Sequence, residues 1–107
     1  MPSLNHVQLV GRVAASPEAM KPSPAGERFT FLVETDRDMT SDGEACPVKD
    51  FHRIVIGREI VAACGSDLGV GQVVRVEGAL VNRGYKKDGE RRFITEIHAE
   101  HIEVQVE

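Results

Sequence analysis

Apolar and polar positions alternate with a period of two along most of this chain, in five separate stretches. In residues 6–13, Val7, Leu9 and Val13 fall on one side and Gly11 interrupts, which predicts a first strand bent at the glycine. Residues 16–26 hold three prolines and read as a loop. Residues 27–36 set Phe29, Phe31 and Val33 against Arg28, Thr30 and Leu32, a second strand whose two phenylalanines belong to the core. Residues 37–47 are polar, acidic and glycine-containing, so a mobile surface loop is expected before a third strand over residues 48–57. The period then changes: Ile60, Val61 and Cys64 take helical spacing in residues 58–64 and Gly65 supplies a stop, a short helix. A turn at residues 68–71 leads to a fourth strand over residues 72–83, and the Asp88-Gly89 pair within residues 84–90 signals a hairpin.

The last stretch, residues 91–106, slips phase. Phe93, Thr95, Ile97 and Ala99 hold odd positions, whereas Ile102, Val104 and Val106 hold even ones. A one-residue bulge near Glu100 reconciles the halves, since without it one of them faces water. Phe93 shares phase with Ile97, which leaves it between core and surface. Five strands with one short helix between the third and fourth point to an all-β architecture, in which a wholly antiparallel sheet removes its edges by curling into a small barrel plugged by the helix. That is the pattern of the five-stranded antiparallel OB-fold.

Length adds that the 107 residues form one domain, residues 1–107, able to bury roughly 65% of the unfolded surface. No apolar run nears the ~20 residues of a membrane helix and the N-terminus has no signal-peptide pattern, so an intracellular, soluble protein is expected. Cys46 and Cys64 are too few and too far apart for a zinc site or a disulfide framework, and Cys64 reads as a small apolar packer. The net charge of −4 hides a segregation: residues 34–50 hold six acids and two bases, residues 75–92 six bases and three acids. A basic region that includes Arg83, Lys86, Lys87, Arg91 and Arg92, with Tyr85 and Phe93 interleaved, suits an anionic strand whose bases need flat partners.

The third strand offers similar chemistry. Its odd positions set Phe51 between Lys49 and Arg53, a cation–ring–cation face fit for a flat, anionic ligand. Taken alone the stretch reads slightly better as a strand with Phe51 in a second core face and cations solvating the rim. Asp38, Thr40, Asp42 and Gly43 match part of a calcium loop, but Lys49 stands where a bidentate Glu is required. His98 and His101 point to opposite strand faces unless the bulge intervenes, so no metal site is expected. No nucleophile, phosphate-loop or zinc-protease motif occurs, and neither catalysis nor a cofactor is expected.

The stretches LNHVQLVGRVAASPE, ERFTFLVETD, DFHRIVIGREIVAAC and VGQVVRVEGALVNRGYKKDGERRFITEIHAEHIE, in that order, resemble the bacterial single-stranded DNA-binding protein family over nearly the whole chain. Phe51-His52-Arg53, Val76-Glu77-Gly78 and the hairpin into Thr95-Glu96 carry most of the likeness. The resemblance implies an OB barrel binding single-stranded DNA without sequence preference in replication, recombination and repair. It implies Phe51 and Tyr85 as base-stacking rings, with Arg53, Arg83, Lys86 and Lys87 along the strand's path. It also implies a cytoplasmic, nucleoid-associated bacterial homo-oligomer, a tetramer ahead of a dimer, assembled through the first strand (Asn5, Val7, Leu9) and near His52. Replication and repair proteins are its implied protein partners. The sequence departs from the pattern in having no tryptophan, in running from Ile56 straight to Gly57, in placing Arg37 where a further aromatic is usual, and in stopping at the end of the fifth strand, before the family's acidic tail, which fits either a trimmed core or a tailless relative. The tailless primosomal replication protein N, a dimeric OB adaptor in replication restart, is the alternative resemblance.

Overall fold

The computed structural model describes residues 2–21, 23–24 and 26–105. Five strands close into a barrel in the order β1-β2-β3-β5-β4: β1 (Val7–Ala19), β2 (Arg28–Ser41), β3 (Glu44–Gly57), β4 (Val73–Lys87) and β5 (Glu90–Val104). A helix, α1 (Arg58–Cys64), and a 3₁₀ turn (Gly65–Asp67) separate β3 from β4. No helix among the described residues is long and apolar enough to cross a membrane. The expected reach of the last strand to Val106, and the loop residues Pro22 and Ala25, lie outside the described residues.

The barrel is not wholly antiparallel. Its closing seam, β3 against β5, is parallel and short, pairing Ile54 with Ile97 and Val55 with His98. The chain reaches β5 through α1 and β4, so β5 arrives at β3 running in the same direction. Val13, Phe31, Val33, Ile54, Ile56, Val74, Val76 and Ile97 fill the interior from all five strands. Leu68, in the expected turn, is fully buried and plugs one end, with Ile60, Val61 and Cys64 of α1 packed beside it. Gly65 does not stop the helix in a left-handed conformation: its φ of −57° carries the chain on into the 3₁₀ turn.

β1 serves two neighbours in succession. It pairs with β4 from Val7 to Arg12 and with β2 from Arg12 to Ala19, so it runs well into the expected proline loop. The bulges that let it curl lie at Ala14 and between Ala15 and Glu18, not at Gly11. Gly11 serves the curl differently, because a Cβ there would land on the carbonyl oxygen of Glu34. The bulge in β5 falls where the phase slip put it: Glu77 pairs with His101 and Gly78 with Ala99, leaving Glu100 unpaired.

The expected loop over residues 37–47 is instead the end of a ribbon. β2 and β3 pair without a break from Arg28↔Gly57 to Ser41↔Glu44 and turn at Asp42-Gly43. A second ribbon, β4–β5, turns at Asp88-Gly89. Both turns have positive φ at both central residues (51° and 80°; 53° and 78°), which the Asp-Gly pair accommodates. The outer parts of both ribbons carry no buried residue, having run past the barrel's end, although one face of β3 (Cys46, Val48, Asp50) stays half-buried.

Candidate nucleic-acid interface

Register decides which side chains share the barrel's outer face, since opposed residues in a ladder point the same way and neighbours along a strand alternate. On β3 the odd residues Lys49, Phe51, Arg53 and Val55 face away from the core that Ile54 and Ile56 enter. The seam sets Val55 beside His98, so β5 adds His98, Glu96, Ile94 and Arg92 to this face. Across from them on β4 stand Val81, Arg83 and Tyr85, with Lys87 next in phase. Of the residues expected to bind, Lys49, Phe51, Arg53, Arg83, Tyr85, Lys87 and Arg92 therefore share one surface. Lys86 and Arg91 do not: they oppose each other on the reverse face of the ribbon, where Phe93 opposes Gly84.

Both rings are open to solvent on that surface. Phe51 is 58% exposed and Tyr85 38%, so Phe51 belongs to no second core face. Phe93 is 68% exposed on the reverse face, with the Arg91 guanidinium 5.5 Å from its ring centroid. Phe31 is buried and Phe29 packs against the core, as their phase requires.

Between the two ring-bearing strands lies Glu96 of β5, whose carboxylate is completely covered. Arg53 donates to it from β3 through Nε at 2.9 Å. Arg83 donates from β4 through Nε at 3.1 Å and Nη2 at 3.0 Å, and His98 Nε2 lies 3.3 Å away. Burial alone pushes the Glu96 carboxyl up, but the hydrogen bonds from Arg83, Arg53 and His98 outweigh it and hold the group down at about 2, against an ordinary 4.5. The Arg83 guanidinium is raised in turn, chiefly by its hydrogen bond to Glu96. A cleft of about 640 Å³ opens over this cluster, walled further by Lys21, Arg28, Thr30 and Val55.

The remaining cations differ in how far they are committed. Lys49 lies 3.6 Å from Glu34 and 3.9 Å from Asp36, and Arg92 lies 3.2 Å from Glu90. Lys86 and Lys87 are exposed and make no ion pair among the described residues. The four residues expected at a subunit contact are all engaged within their own chain. Asn5 exchanges two hydrogen bonds with the Leu80 backbone, Val7 and Leu9 pack on the core, and His52 Nε2 lies 2.8 Å from the Thr35 hydroxyl.

Sequence reasoning missed the hub itself. Glu96 shows in the sequence as an acid in strand phase with Ile94 and His98, but nothing local reveals that two arginines from other strands close over it. Lys21 and Arg28 were missed because they reach the cleft from just beyond the end of β1 and from the first residue of β2, far in sequence from Arg53, Arg83 and Glu96. The Glu100 bulge does return His98 and His101 to one face, yet no metal-holding cluster of His, Cys, Asp or Glu exists among the described residues. Cys46 and Cys64 are unpaired, and burial, with Asp67 nearby, pushes the Cys64 thiol up.

Comparison with known proteins bears on this surface. Residues 4–105 match the model of the single-strand binding protein family. The single-stranded DNA-binding protein of Clostridium tetani is 29% identical over 101 residues, covering 92% of this chain and 68% of that protein. Its namesake from Thermus thermophilus is 34% identical over 103 residues, covering 94% of this chain but only 38% of its own length. Among solved structures, the Plasmodium falciparum SSB in complex with ssDNA superposes with a TM-score of 0.84 at 28% identity, covering 99% of this chain and 98% of that one. With the family model matched almost end to end, this chain belongs to the single-strand binding protein family.

Proposed function

We propose that residues 1–107 act as one OB-fold domain that binds single-stranded DNA without sequence preference and protects it during replication, recombination and repair. One observation carries this reading: Phe51 and Tyr85, both exposed, stand on the same outer face as Arg53 and Arg83. Rings accept any base by stacking, and guanidiniums accept the phosphates between bases, so affinity does not depend on base identity. A duplex buries the base faces that the rings would use. The names of the relatives and the DNA-bound Plasmodium structure support the same reading, and they leave the primosomal adaptor alternative unfavoured.

Family membership also supports assembly as a homo-oligomer, a tetramer ahead of a dimer, through the first strand with Asn5, Val7, Leu9 and His52 nearby. Light scattering with and without a dT oligomer reads mass and binding together. Binding itself is tested by fluorescence anisotropy with labelled oligo-dT and with a duplex of equal length across a salt series. Tight, salt-sensitive binding to oligo-dT and much weaker binding to duplex is the expected result. Equal binding to both, or none to either, refutes the reading.

A further inference from the structure

A buried carboxylate is an odd component of a surface meant for a polyanion. By charge alone Glu96 opposes DNA, because it neutralises cations that phosphates would otherwise use. Its placement supplies the reason. Phe51 and Arg53 are two apart on β3, and Arg83 and Tyr85 are two apart on β4, so each ring shares its face with one arginine. Both arginines converge on the one carboxylate, which lies on the strand between. Each guanidinium gives Glu96 part of its donor set, and each arginine side chain stays partly exposed, at 33% for Arg53 and 42% for Arg83. The rest of each fork is left for a second acceptor.

We propose that Glu96 is a positioning residue for single-strand binding, which fixes Arg53 and Arg83 with their free donors outward and ties together the two strands that carry Phe51 and Tyr85. The inference rests on the reading of this surface as a single-strand site. Among the described residues no ladder joins β3 to β5 beyond the parallel seam. The clamp therefore joins the two ring-bearing strands where the backbone ladder between β3 and β5 has ended. An arginine held in advance loses less freedom when a phosphate arrives, and two rings held at a set spacing need no rearrangement to accept successive bases. The ordering of two long side chains corresponds to roughly 5- to 150-fold in Kd, and it opposes the gain from deleting one partly compensated charge.

Charge and positioning give opposite signs, and the test uses that. Glu96→Gln keeps size and one acceptor but removes the charge that holds both forks. Anisotropy with labelled oligo-dT over a salt series should show binding about tenfold weaker than wild type, with a salt slope no shallower. Arg83→Lys keeps every charge on the surface but loses the two-pronged contact, and should weaken binding in the same way at an unchanged slope. Circular dichroism and thermal unfolding check that each variant is folded; if Glu96→Gln is not, Arg83→Lys decides. Equal or tighter binding by Glu96→Gln, or wild-type binding by Arg83→Lys, overturns the proposal. Failure of the wild-type protein to bind oligo-dT instead overturns the single-strand reading beneath it.

Discussion

Two rings on one ribbon separate exposure from orientation. Tyr85 of β4 and Phe93 of β5 are near neighbours, yet the register Tyr85↔Arg92 and Phe93↔Gly84 puts them on opposite faces. Exposure alone ranks Phe93 the better platform, at 68% against 38%. Orientation ranks Tyr85 first, because its face continues through Arg83 and Glu96 to Arg53 and Phe51, while Phe93 shares its face with Lys86 and Arg91. Each stacked base contributes about 1–3 kcal/mol, so Tyr85→Ala should raise the Kd for oligo-dT roughly 5- to 150-fold. Phe93→Ala removes an exposed cation–ring contact worth about 0.5–1 kcal/mol to the ribbon and should leave the Kd within about threefold. Both are read by anisotropy at one fixed salt concentration, with circular dichroism confirming the fold. A larger loss for Phe93→Ala than for Tyr85→Ala would show that the outer face has been misassigned.

Other consequences are open to simpler measurements. A Cβ at Gly78 would fall on the His98 carbonyl beside the β5 bulge, so Gly78→Ala should cost about 1–3 kcal/mol or prevent folding, read by denaturant unfolding. Because the Glu96 carboxyl titrates near 2 in the folded protein and near 4.5 ordinarily, its contribution is complete above pH 4.5 and is lost as pH falls toward 2. That contribution is on the order of 3 kcal/mol, and the acid-side fall in unfolding free energy should be shallower by that amount in Glu96→Gln. Lys87 lies on the ring face without an ion pair among the described residues, so Lys87→Ala should reduce the salt slope of oligo-dT binding by about 0.7.

Local signals carried much of the fold. The phase slip between Ala99 and Ile102 was enough to place the bulge at Glu100, because a buried face tolerates no one-residue error. The helix over Arg58–Cys64 showed in its period, and Asp88-Gly89 announced its hairpin. The same Asp-Gly chemistry at Asp42-Gly43 went unread because the flanking residues carry only a weak apolar alternation, Met39, Cys46 and Val48 among polar and acidic neighbours. No residue of that outer ribbon is buried, so no core demanded an apolar face there. Phe93 misled for a related reason: its phase matches Ile97, but by Phe93 the ribbon has left the barrel and the inner phase no longer has a core to enter. The parallel seam and the Arg53–Glu96–Arg83 clamp join residues far apart in the chain, and no local pattern encodes them.

The chain has one tyrosine and no tryptophan, so its intrinsic emission reports on Tyr85 alone. Titrating the protein with an unlabelled dT oligomer while following that emission, with anisotropy recording occupancy in parallel, tests base stacking at the outer face directly. Quenching that rises with occupancy and saturates with it is the expected result. Saturable binding with the tyrosine emission unchanged would contradict the account, since bases would then be bound somewhere other than on this ring.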